Sequence, residues 1–323
     1  MQLTLAGQVV RACYLIWQEG GEAVGALIAG GVAAMAALAW WLVRRKRRGE
    51  APLIDPDLFA SKPFRIGISQ QMMQQIALGG TMIALPIFLQ MVLEYNAMQA
   101  GLSLAPLSLS MFAVALIAGH KAAHYRPANI IQVGFAALTI GLIVLEPIVP
   151  RAESGWALVI PLVIAGCGLG LLVSQLNNYT LSPITEERVS EAAGVNSAAG
   201  SFGLSFGLAF AGAIMLASLS LLFTDMAENS DVLAPDEQQQ VADALEDDAE
   251  LMSNTKLEGL LVDQPPAVQD EIIRINTDAR PRALQIALLV PIAAGLIGLF
   301  NGFRMARLPD PVPSGAAEGM LFD

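Results

Sequence analysis

The chain has 323 residues, of which 54% are hydrophobic and only 15% charged, against about 25% charged in an ordinary soluble domain. That balance excludes a water-soluble globular protein and predicts an all-α integral membrane protein in a lipid bilayer. The net charge of −11 argues against a nucleic-acid partner, which would require a basic footprint.

Cys13 and Cys167 lie far apart with no CxxC spacing, so neither a disulfide framework nor a metal cofactor is indicated. The acid is concentrated in one place. Between Phe223 and Arg280 fifteen Asp and Glu stand against Lys256, Arg274 and Arg280, a balance of −12 that leaves the remainder at +1.

Residues 1–23 are apolar but interrupted by Arg11 and closed by Glu19 and Glu22, and they read as a lead-in on the outer side. Residues 24–43 form the first clear span, ended by Trp40 and Trp41 at interfacial depth and by the cluster Arg44 to Arg48. Positive residues favour the cytoplasm, so this helix runs inward and residues 44–65 form a cytoplasmic linker. Residues 66–222 then hold five further spans, at 66–92, 101–118, 131–149, 156–173 and 194–222, and the last span covers 283–303. This makes about seven transmembrane helices.

Threaded alternately, the inner side collects twelve Lys and Arg and the outer side six, which favours an outside amino terminus and a cytoplasmic tail at 304–323. Residues 223–282 then form an acidic extracytoplasmic loop. Within it, Val241, Leu245, Ala249 and Met252 follow Pro235 at helical spacing, and Val268, Ile272 and Ile275 follow Pro265 and Pro266, predicting two amphipathic helices. Such a loop either caps its own membrane domain or docks a periplasmic adaptor.

The sixth span carries Ala199, Gly203, Gly207 and Ala211 at every fourth position, one narrow stripe where another backbone can approach. The fifth carries Gly166, Gly168 and Gly170, and a short polar turn separates the two. The expectation is that these two helices pack against each other as a hairpin. Pro86, Pro106 and Pro161 lie within spans and predict kinks.

Polar residues at membrane depth are costly and so become functional candidates. Gln70, Gln71, Gln74 and Gln75 form two i,i+4 pairs on adjacent stripes of the second span. They either line a cavity or bond across helices. Gln71, Gln75, Gln90 and Ser108 are the candidates for a substrate pathway, and Ser110, Ser174, Gln175, Asn177 and Asn178 are weaker ones. Glu94 and Glu146 stand at the outer ends of their spans as candidate proton carriers. His120 and His124 have the i,i+4 spacing of a metal pair but no carboxylate or thiol beside them, so no metal site is assigned. There is no Ser/His/Asp set or P-loop, and Gly166-Cys167-Gly168-Leu169-Gly170 has no preceding strand, so no enzymatic chemistry is indicated.

Three stretches carry a resemblance. PLIDPDLFASKPF (52–64), LPIFLQMVLEYNAMQAGLSLAP (85–106) and GVNSAAGSFGLSFG (194–207) are similar to motifs of the fourteen-helix drug:proton antiporters of the major facilitator superfamily, with Pro86, Gln90, Gln99, Gly101, Pro106, Asn196, Gly203 and Gly207 in matching places. The chain departs from that family at Ala123, where an acid is usual, and at Ala199, where arginine is often found.

The resemblance covers about residues 24–308 and implies the carboxyl-terminal six-helix bundle of such a fold plus one preceding helix. It further implies proton-coupled efflux of amphipathic organic compounds from the plasma membrane. The amino-terminal six helices of that family have no counterpart here. Because such sites lie between two halves, transport would require an amino-terminal half in cis or in trans. The other expectation is a non-transporting scaffold whose acidic loop binds a partner.

Overall fold

A computed structural model describes residues 21–50, 54–121, 125–233, 254–262 and 264–308. Among them all regular structure is helical: α1 (Gly21–Arg47), α2 (Lys62–Ile87), α3 (Ala97–Lys121), α4 (Pro127–Leu145), α5 (Val159–Leu181), α6 (Val189–Glu228), α7 (Asn254–Leu260), α8 (Pro266–Ala287) and α9 (Leu289–Ala306). Counting α8 and α9 together, seven of these segments are long and apolar enough to cross a membrane. The protein is an all-α, multi-pass membrane protein.

The first four predicted spans begin and end within about five residues of helices α1 to α4, because hydropathy follows burial in lipid directly, whereas the fifth stops short of the polar last turns of α5 at Leu181. The sixth and seventh are longer than expected. At 40 residues, α6 is about 60 Å long, twice the hydrocarbon thickness, so its charged ends at Glu191, Asp225 and Glu228 extend beyond it. The helix predicted after Pro265 and Pro266 is α8, and it continues almost directly into α9. Pro291 lacks the N–H that would bond Ala287, and the helix is interrupted at Leu288 for that reason. The helix expected at Val241 to Met252 lies outside the described residues, as do residues 1–20.

The prolines act differently from one another. Pro86 is followed by a π-helical turn, Phe88–Val92, at the end of α2. Pro106 lies inside α3. Pro161 is in the first turn of α5, where its missing donor is no loss.

The packing is built on non-adjacent pairs. α2 lies along α6, α5 lies between α3 and α4, and α9 fills the groove between α2 and α4. The expected hairpin of α5 against α6 is not formed, since these two helices touch only lightly. The reason is helical phase. Gly166 and Gly170 face Leu107 and Met111 of α3, while Gly168, about 200° around the helix, faces Leu138 of α4. Glycines two apart cannot form a single seam.

The α6 stripe instead meets α2. A Cβ on Gly203 would sit 2.7 Å from the Met72 carbonyl oxygen, one on Gly79 would sit 2.5 Å from the Leu204 carbonyl oxygen, and one on Gly207 would collide with the Ile76 carbonyl. Ala211 is fully buried on the same line, and Ala199, half-buried, packs against the cluster of Leu58, Phe64, Ile68 and Val189.

The core runs through Phe88, Phe135, Leu138, Leu142, Leu162, Leu172 and Tyr179, and a second cluster joins the far end of α6 to α8. α1 stands apart, with Leu27, Ile28, Val32 and Met35 exposed on a helix that buries almost nothing against the others. It is held at its end by ions. Lys46 Nζ lies 2.6 Å from Asp55 Oδ1 and 2.5 Å from Asp57 Oδ2.

Candidate functional site

The sequence of α2 gives it two chemically distinct glutamine faces. On one, Gln70 and Gln74 are buried, and Gln70 Nε2 donates to the Gly298 carbonyl of α9 at 3.0 Å. On the other, about 100° around the helix, Gln71 and Gln75 point toward α6 and line an open cleft. That cleft, about 430 Å³, is walled by α2, α5 and α6 through Gln71, Gln75, Asn177, Asn178, Asn196, Ser197, Gly200 and Ser201, with Leu181, Ala193 and Leu204. Its size is that of a small-molecule site. Among the described residues the lining contains no charged side chain.

Small residues on α6 create the space. A Cβ on Gly200 would lie 3.2 Å from Gln71 Nε2, so glycine lets this amide lie across the helix surface. Asn196 donates through Nδ2 to Asn177 Oδ1 at 2.7 Å, joining α6 to α5 across the cleft floor. Two oxygens in this region, Gln75 Oε1 and Asn196 Oδ1, are buried and have no hydrogen-bond partner among the described residues.

Below the cleft, at the start of α6, the linker is held by a charge network. Asp55 lies 2.6 Å from Lys46 and 3.5 Å from Arg188, and its backbone N–H donates to Glu191. Asp55 also accepts from the Asp57 N–H at 3.0 Å. That backbone hydrogen bond first, and Lys46 second, hold its carboxyl below the ordinary carboxylate range. These groups satisfy one another, leaving the cleft above them neutral.

The remaining sequence candidates are elsewhere. Gln90 is exposed at the other end of α2, its Nε2 reaching back to the Pro86 carbonyl at 3.4 Å. Ser108 is exposed on α3. Neither lines the cleft. Glu94, with a left-handed φ of 53°, accepts from the Thr255 N–H at 2.9 Å and from its hydroxyl at 2.5 Å, so it anchors the start of α7. Glu146 caps α4 and has one buried oxygen with no hydrogen-bond partner among the described residues. His120 lies exposed on α3 with Nδ1 3.1 Å from the Leu116 carbonyl oxygen, and His124 is outside the described residues.

The stretch from Leu85 to Pro106 has a structural role. Asn96 and Gln99 cap α3 reciprocally, at 3.0 and 2.9 Å, a capping box. The Tyr95 hydroxyl accepts from the Gly155 N–H at 3.1 Å.

Sequence reasoning did not single out Ser197 and Ser201, which look like ordinary small residues on a packing helix. Asn196 entered only through a motif. The Asp55–Arg188–Glu191 network also had no local signal, since Asp55 is more than 130 positions from the other two.

Comparison with known proteins places this architecture. The profile of the Major Facilitator Superfamily matches residues 14–208. The chain is 28% identical over 225 residues to the drug efflux pump JefA of Mycobacterium tuberculosis, covering 68% of this chain and 43% of that protein. It is 25% identical over 268 residues to the multidrug resistance protein Stp of the same organism, covering 83% of this chain and 48% of the relative. A probable actinorhodin transporter of Streptomyces coelicolor is 23% identical over 180 residues, 55% of this chain and 31% of that one. The chain thus spans less than half the length of these relatives. With the family profile covering more than half of its residues and a multi-pass helical bundle to match, the chain belongs to the Major Facilitator Superfamily.

Proposed function

We propose that this chain is the carboxyl-terminal part of a plasma-membrane exporter of amphipathic organic compounds, working by proton antiport together with an amino-terminal six-helix half supplied in cis or in trans. The observation that carries this reading is the uncharged polar cleft between α2, α5 and α6 in a chain of this superfamily. The relatives named as a drug efflux pump and a multidrug resistance protein support the substrate class.

In this reading the start of α1 is outside and the tail after α9 is cytoplasmic. The Arg44 to Arg48 cluster and Arg188 then lie on the positive-inside face, and the cleft opens toward the cytoplasm. The acidic stretch 223–282 is extracytoplasmic and faces any periplasmic adaptor.

The test is whole-cell efflux of a panel of fluorescent compounds, cationic and neutral, with the chain expressed alone and with a six-helix amino-terminal half. The expected result is efflux only in the combined arrangement, abolished by a protonophore. Stable expression with no efflux in either arrangement favours the alternative, a membrane scaffold whose acidic loop binds a partner.

A further inference from the structure

The chemistry of the cleft limits what it can select. None of its lining residues among those described is charged, and Asp55, Lys46, Arg188 and Glu191 at the start of α6 are engaged with each other. An organic cation entering the cleft would exchange part of its hydration for uncharged amides and hydroxyls and find no counter-charge among them.

Hydrogen bonding is unbalanced in the opposite sense. Asn196, only 4% exposed, has its amide nitrogen committed to Asn177, while its Oδ1 has no partner among the described residues. Gln75 Oε1 on the facing helix is in the same condition. A buried acceptor without a donor is costly, and a ligand that brings the donor removes that cost. Both acceptors belong to residues that line the cleft, one on α2 and one on α6, so one molecule carrying O–H or N–H groups can satisfy them.

We infer that this cleft selects uncharged compounds bearing several hydroxyl or N–H donors, polyhydroxylated aromatics being the fitting class, over organic cations and over donor-free compounds of the same shape. This rests on the reading of the cleft as the binding site, and it adds that recognition works by donation to Gln75 and Asn196.

The experiment uses the chain in lipid nanodiscs at about pH 6, where phenols are neutral. Three probes are titrated calorimetrically: quercetin, its pentamethyl ether, and tetraphenylphosphonium. The methyl ether keeps the ring system and removes the donors. The expected result is that quercetin binds at least about tenfold tighter than either of the others, the ratio for one to two good hydrogen bonds.

Gln75→Leu and Asn196→Leu should each weaken quercetin by roughly threefold to tenfold and leave the methyl ether unchanged. Gln75→Glu should shift the preference toward the cation. Equal binding of quercetin and its ether, or tighter binding of the cation, overturns the class assignment on the native protein alone, whether or not the variants fold.

The two readings fail differently. Binding of ether or cation that Gln75→Leu weakens leaves the site in place and removes the donor-selective class. Binding of none of the probes, or binding insensitive to both substitutions, removes the cleft as the site.

Discussion

Asn196 on α6 and Asn177 on α5 are joined by a 2.7 Å hydrogen bond between two helices that otherwise barely touch. Replacing either residue by Ala should lower stability by about 1 kcal/mol. The double-mutant cycle should give a coupling of about 0.6 kcal/mol, the typical value for side-chain hydrogen bonds within a membrane. Thermal unfolding in detergent checks both values, and additivity of the two substitutions would show that the bond contributes nothing.

Gly207 faces the Ile76 backbone carbonyl, which cannot move aside without moving α2. Gly207→Val should therefore destabilise the protein by about 2 kcal/mol or more, since overpacking a tight contact costs roughly 1–3 kcal/mol. Gly212→Ala is the contrast, because its nearest neighbour is the flexible Ile83 Cδ1 at 3.3 Å, and it should be nearly neutral. Unfolding midpoints of the two variants in the same detergent compare them directly.

Asp55 predicts a pH dependence. Its carboxyl is held below the ordinary range by the Asp57 N–H and by Lys46. A carboxylate whose folded-state pKa is depressed contributes stability that is fully present above its unfolded value of about 3.9 and is lost as pH falls through the folded value. The difference in melting temperature between wild type and Asp55→Asn should thus be constant between about pH 5 and 8 and shrink below about pH 4. A difference that grows on acidification would contradict the network.

Arg280 on α8 is only 5% exposed, and its one hydrogen bond among the described residues runs from Nε to Asn276 Oδ1 at 2.8 Å. Its Nη2 is buried without a hydrogen-bond partner in that same set. Exchanging such a group for an apolar side chain of similar length is neutral or stabilising, whereas removing its partner strands the charge. Arg280→Met should unfold at or above the wild-type temperature, and Asn276→Leu should lose about 1–3 kcal/mol. Thermal unfolding of the two variants in the same detergent decides it.

Hydropathy and charge alone located α1 to α6, α8 and α9, the interruption of apolar runs by polar turns, and the pairing of glutamines on α2, because each of these depends on one residue and its near neighbours in the chain; α7 was not foreseen. The helical stripe Gly203, Gly207 and Ala211 was visible in the same way, as a periodic run of small residues. Its partner was not. α5 is next to α6 in sequence, yet α6 packs on α2, more than a hundred positions away. The lipid supplies no hydrophobic drive between helices, so the partner is chosen by how closely two complementary backbones can approach. That same choice separates Gln71 and Gln75, which line the cleft, from the buried Gln70 and Gln74, the first of which bonds α9. It also brings Asn177 of α5 beside Asn196 of α6, and Asp55 of the linker beside Arg188 and Glu191. Periodicity tells which residues share a face of a helix, but what the face meets follows only when all the helices are packed together.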